Sequence, residues 1–119
     1  MSDDMFDARE RQAADQREAE LFAKLPDFLS HAVAAAPGWA EHLRGVDLAK
    51  VTSRDALASL PVLRKSELLV RQKENPPFGG FLAGTLGGVE RVFMSPGPIW
   101  EPQSSGDDPW NGARALFAA

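Results

Sequence analysis

The stretch Val89-Glu90-Arg91-Val92-Phe93-Met94-Ser95-Pro96-Gly97-Pro98 decides how the rest of the chain is read. Its first six residues mix β-branched and aromatic side chains with charged ones, the composition of a half-buried strand. The next four are small or cyclic and make a turn. A small-residue turn at the C-terminal end of a strand, ahead of a helix, is where α/β folds hold phosphates. Ser95 and Gly97 are the candidate binding residues of such a loop. Backbone N–H groups are what the loop offers an anion, and Pro96, Pro98 and Pro102 each lack one. A plain structural turn is the other reading of the same residues.

Upstream of the strand the chain is written as helices. Residues 2–20 carry seven acids against three arginines, with alanines that favour helix, so residues 1–20 read as an acidic, partly frayed helical lead. From Leu21 the apolar residues Leu21, Leu25, Phe28, Leu29, Ala32 and Ala36 fall at 3,4 spacing on one face. Pro26 interrupts that face, so either one helix kinks there or a second begins. Pro37 can open a short helix holding Trp39 and Leu43, with Gly45 placed to close it. Thr52 and Asp55 have capping-box spacing ahead of Ala56, Leu57 and Leu60. A further helix starts at Lys65 or Ser66 and stops at Pro76-Pro77. Residues 21–75 are therefore a helical segment whose pieces are too short to stand alone and must pack together. The start of that helix has one anomaly: Arg64 and Lys65 oppose the helix dipole there, which reads as a solvated start or as a contact elsewhere.

Residues 76–88 hold five glycines, two prolines and four large apolar residues, Phe78, Phe81, Leu82 and Leu86. This is a loop, yet too apolar to lie free in water, so Phe78 and Phe81 are expected to be buried. Beyond the strand, Asp107 or Asp108 can cap a helix with Pro109 in its first turn and Trp110, Ala113, Leu116 and Phe117 on one face. That face is still apolar at Ala119, and one strand alone cannot satisfy its backbone. Both points lead to the expectation that residues 76–119 are an incomplete domain and that the chain stops inside a larger fold. The class is mainly α with a little β.

Composition narrows the function. The chain has 119 residues and a formal charge of −4, with no basic stripe of the kind that holds nucleic acid. Leu, Ile, Val and Phe number 28, enough to fold, but 18 of the apolar residues are alanine, so the core should be thin. Cysteine is absent, which removes disulfides, zinc thiolates and thiol catalysis and fits a reducing cytoplasm. No secretory signal and no apolar run of membrane-spanning length is visible. His31 and His42 are the two histidines and lack any metal-ligand spacing, so no metal site is expected. There is no paired general acid and base and no activated nucleophile, so no catalytic residue is assigned.

Taken in order, the pieces resemble a known family. "REAELFAKLPDFLSHAVAAAPGWAEHL" (17–43) is followed by "GVDLAKVTSRDALASLPVLRKSELL" (45–69), "NPPFGGFLA" (75–83), the strand "VERVFMS" (89–95) and the turn. This resembles the N-terminal segment of phenylacetate–CoA ligase-like enzymes in the adenylate-forming superfamily. There a helical hairpin precedes "sleDLaaLPvttKedLr" and a "yPfG" loop, and a strand then leads to a phosphate loop, commonly S-S-G-T-T-G-x-P. Pro61 and Lys65 match the family's LP…K. Ser95, Gly97 and Pro102 match the loop's first Ser, first Gly and closing Pro, whereas Pro96, Pro98, Ile99, Trp100 and Glu101 depart from it.

The resemblance implies a helical N-terminal segment plus the first strand and phosphate-type loop of a ligase domain. It implies ATP, Mg and CoA as cofactors of a full-length ligase, and none for these residues alone. The expected partner is the remainder of such a chain or a second copy. Val92, Ile99, Trp110, Leu116 and Phe117 are the apolar residues expected to be exposed and to drive self-association. A non-catalytic helical assembly module is the alternative reading.

Overall fold

The structure, a computed structural model, describes residues 5–118. The expected helical lead is seen from Met5 onward; its first four residues, and Ala119 after the last helix, lie outside the described residues.

Helix α1, Ala14–Ala35, runs unbroken through Pro26. Its half-buried face is Phe22, Leu25, Pro26, Leu29, Ala32 and Val33, at the 3,4 spacing of a helix stripe. Leu21 and Phe28, expected on that face, stay 64% and 66% exposed. They lie one residue before Phe22 and Leu29, about 100° round the helix, and so form a second, outward stripe. α1 packs against helix α2, Pro37–His42, and against a 3-10 turn at Leu48–Lys50. Pro37 is the first residue of α2, and the chain leaves beyond its end through Gly45 at φ +82°, a backbone geometry that suits glycine.

Helix α3, Arg54–Ala58, is capped by Ser53, whose Oγ accepts from Ala56 N at 3.2 Å; the capping expected of Thr52 is shifted by one residue. Helix α4, Lys65–Glu74, begins with Glu67 Oε2 accepting the Arg64 N–H at 2.9 Å. It ends at Asn75, whose carbonyl accepts from Gly79 N at 2.8 Å.

The following loop folds back onto both α4 and α2. Gly38 N donates to Gly80 O at 2.8 Å, and a Cβ on Gly38 would stand 3.0 Å from that carbonyl. Gly79 lies at φ +65°, and a Cβ there would meet Arg71 C at 3.0 Å. The tight approach buries Phe78 and leaves Phe81 half-buried, edge-on to Trp39 at 5.1 Å and beneath the Arg71 guanidinium at 5.6 Å. Arg71 also pairs with Glu41 at 3.1 Å.

Strand β1, Val89–Ser95, is not alone. It forms a hairpin with strand β2, Ile99–Ser104, in the antiparallel register Ser95↔Ile99, Met94↔Trp100, Phe93↔Glu101, Val92↔Pro102 and Arg91↔Gln103, with an irregularity at Glu90. The expectation of an unpaired strand is therefore corrected. Pro102 is tolerated because it lies two residues from Trp100, whose N–H and C=O point away from β1. The missing N–H of Pro102 falls on that same outer side and costs no ladder bond. Ile99, expected to be exposed, is buried beneath the turn. The last helix, α5, Ala113–Ala118, starts four residues later than Pro109. Asp108 accepts from Gly112 N at 2.7 Å and Ala113 N at 3.1 Å, so its carboxylate turns the chain before the helix can start.

The core is thin, as the composition requires. Among the described residues the buried apolar ones are Ala36, Leu43, Val51, Phe78 and Ile99. The radius of gyration is 17.0 Å, against about 13.5 Å for a compact domain of this length. The accessible surface of 8863 Å² likewise exceeds the roughly 6,300 Å² of a self-contained domain of this mass.

Gly79→Ala should lower stability by about 1–3 kcal/mol, because the methyl meets backbone and the positive φ is strained. Gly87→Ala, where a Cβ meets nothing closer than Thr85 Oγ1 at 3.9 Å, should leave the urea midpoint nearly unchanged. Equal midpoints for the two variants would contradict the tight packing of the 75–81 loop.

Candidate functional site

The turn that carries Ser95 and Gly97 is held from below by α4. The Lys65 ammonium donates to the Pro96 carbonyl. A Cβ on Gly97 would touch Lys65 Cε and Ile99 Cγ1, each at 3.3 Å. This is the contact that the basic start of α4 foreshadowed. Two turns further along the helix, Gln72 is 6% exposed and inserts its amide at the outer edge of β2. Its Nε2 donates to Trp100 O at 2.9 Å and its Oε1 accepts from Trp100 N at 2.9 Å. The side chain thus replaces a neighbouring strand. Nothing in the sequence marked it, because a glutamine in a polar helix reads as solvated.

Ser95 is half-buried at the end of β1, opposite Ile99, and Gly97 is exposed in the turn. They are two residues apart on one hairpin, so the structure brings the two candidate residues together. Lys65 is the cation that the sequence reading did not place beside them. Around them the donors are few: the Gly97 N–H, the Ser95 hydroxyl and the Lys65 ammonium, which already serves Pro96. Exposed Glu101 follows on β2. Among the described residues no group of three or more His, Asp or Glu could hold a metal ion. This set does not fit a magnesium triphosphate, which needs several donors and cations on the phosphates. His42 is engaged elsewhere, with Nε2 2.9 Å from the Pro61 carbonyl.

A second feature lies at the opposite end of α1. The segment around a 3-10 turn at Ala8–Arg11 meets α5, and together with α1 they enclose a cleft of about 500 Å³. Arg114 closes it. Its guanidinium binds Asp7 and, at 3.2 Å, Glu10, and lies 4.9 Å over the Phe6 ring. Phe6 in turn meets Phe117 edge-on at 5.8 Å. The Arg114 hydrogen bond holds the Asp7 carboxyl down at about 2, from an ordinary 3.8, against the opposing effect of desolvation; the Arg9 N–H adds to the lowering. The Arg114 guanidinium is raised by the same contact.

With this geometry in view, the likeness to known proteins is one of fold. No protein-family model and no curated protein matches the chain. Among solved structures it is similar to 2-hydroxyisobutyryl-CoA ligase in the postadenylation state with R3-HIB-AMP, at a TM-score of 0.76 and 20% identity over 89% of this chain and 24% of that one. The same ligase with 2-HIB-AMP gives 0.72 and 21% identity over 78% and 20%. Its open conformation with 2-HIB-AMP and CoA gives 0.72 and 22% over 90% and 24%. The chain therefore has the fold of one stretch of this CoA ligase, and it spans about a quarter or less of the ligase chains it matches.

The Asp7 shift has a definite sign. A carboxyl held at about 2 when folded, against 3.8 when free, stabilises the fold above pH 3.8 and loses that contribution as pH falls through 2. The difference in thermal midpoint between the natural chain and Asp7→Asn should be full above pH 3.8 and vanish near pH 2. A difference independent of pH would show that the carboxylate charge is not what closes the clasp.

Proposed function

We propose that this chain is the N-terminal part of an adenylate-forming acid–CoA ligase of the phenylacetate–CoA ligase-like kind. Such an enzyme activates a carboxylate with ATP to an acyl-adenylate, releasing pyrophosphate, and passes the acyl group to CoA. The observation that carries this reading is the fold likeness over 78–90% of the chain, and the LP…K and PPFGGF pieces of sequence support the phenylacetate–CoA ligase-like branch. On this reading the residues here are scaffold. They form the helical lead and hold the hairpin turn, which contacts a nucleotide at most weakly through Ser95 and Gly97. The catalytic steps belong to the remaining length of such a ligase, and the working compartment is the cytoplasm.

A second reading is favoured by one specific observation. The surface is large for the mass, and Val92, Met94, Trp110 and Leu116 lie exposed on it. A helical assembly module that self-associates through this surface would account for both.

The isolated chain should show no ATP–pyrophosphate exchange with phenylacetate or 2-hydroxyisobutyrate. Calorimetry with ATP and magnesium should give no more than weak heat, in the natural chain and in Ser95→Ala alike too weak to define a micromolar site. Micromolar nucleotide binding that Ser95→Ala abolishes, or measurable exchange, would overturn the scaffold assignment. Intact mass of the native protein separates the two readings: a polypeptide several times heavier than 12.9 kDa supports the ligase, and one of 12.9 kDa supports the assembly module.

A further inference from the structure

The cleft beside the Arg114 clasp is lined by four bases and three acids. Each of those acids already accepts a hydrogen bond within the protein. Glu10 accepts from Arg114 at 3.2 Å and from Phe6 N at 3.3 Å. Glu20 accepts from Gln16 Nε2 at 3.4 Å. Asp108 caps Gly112 and Ala113.

The lining bases differ from one another. Arg9 and Arg114 are held by Asp7. The Arg17 guanidinium and the Lys24 ammonium have no ion-pair or hydrogen-bond partner among the described residues. The i,i+4 spacing of Glu20 and Lys24 would allow a pair, but the glutamate turns to Gln16 instead. Two cations are thus left facing the cleft, about 10 Å apart along α1. Between them stands Leu21, 64% exposed, and the Phe6 ring contributes to the same wall.

We propose that this cleft binds a small amphiphilic anion, with its apolar body on Leu21 and Phe6 and its acidic head on Arg17 or Lys24. The volume of about 500 Å³ lies in the usual range for small-molecule sites, roughly 300–1,000 Å³. Two charged groups within reach of an apolar floor give orientation as well as attraction. The cleft is a tertiary feature, since Arg114 and Asp7, which close it, are 107 residues apart. The proposal does not depend on the ligase reading, because it uses none of the hairpin residues.

The test uses the whole chain and the fluorescent aryl sulfonate 1-anilinonaphthalene-8-sulfonate, with the uncharged N-phenyl-1-naphthylamine as its control. The sulfonate should bind at one saturable site, more tightly than the neutral dye. Arg17→Gln with Lys24→Gln should weaken it by at least about fivefold, as expected for the loss of exposed ion pairs, and leave the neutral dye unaffected. Met94→Ser, on the exposed sheet, should change neither. Octanoate and octyl phosphate should displace the sulfonate, and whichever does so at the lower concentration identifies the head group. The proposal is overturned if the double variant binds as tightly as the natural chain, if Met94→Ser removes the signal, if the neutral dye binds equally well, or if neither octyl compound competes. Both glutamine substitutions are at exposed positions and leave the core untouched, so circular dichroism should be unchanged.

Discussion

One buried side-chain amide joins the helical part of this protein to its hairpin. Gln72 gives the outer edge of β2 the donor and acceptor that a third strand would otherwise supply. A two-stranded hairpin is marginal in water by itself, and unpaired backbone groups under a helix cost about 1–3 kcal/mol each. The pairing therefore does two things. It satisfies Trp100, and it fixes how α4 lies across β2, which in turn sets Lys65 beneath the turn and Ile99 against its stem. The turn that carries Ser95 and Gly97 is thus positioned by α4 as well as by the hairpin's own ladder.

The same economy appears at the 75–81 loop. With few large apolar residues available, the fold brings backbone against backbone, and Gly38, Gly79 and Gly80 permit contacts that any side chain would block. Phe78 is then sealed in, while Trp39, Phe81 and Arg71 stack over the junction. Charge replaces apolar burial at the chain's two ends, where Asp7, Glu10 and Arg114 connect segments with little core between them. An elongated shape and a large surface follow directly.

Much of this was legible because punctuation residues have local causes. Pro37 and Gly45 bounded α2, Pro76-Pro77 stopped α4, and the β-branched run marked β1. The burial of Phe78 followed from its apolar character in a polar setting, and the misplaced basic residues at 64–65 pointed to the Lys65 contact. What escaped depends on distant partners. β2 was hidden because Pro98 and Pro102 argue against a strand, and only the register shows that Pro102 turns its missing N–H outward. At Pro26 the sequence left one helix and two both open, and the structure takes the single helix, packed against α2 and the 48–50 turn. α5 starts late because Asp108 turns the chain before it. Gln72 and Arg17 carried no signal at all, since a polar residue gains meaning only from what faces it, and the i,i+4 spacing of Glu20 and Lys24 pointed to a pair that gives way to the Gln16–Glu20 bond.

If Gln72 serves as the missing strand, the Trp100 amide is hydrogen-bonded and shielded. Amide hydrogen exchange measured residue by residue reports this directly. The account predicts that the Trp100 N–H exchanges as slowly as the ladder amides of Phe93 and Glu101. A Trp100 amide that exchanges as fast as those of the open glycines at 84 and 106 would contradict it.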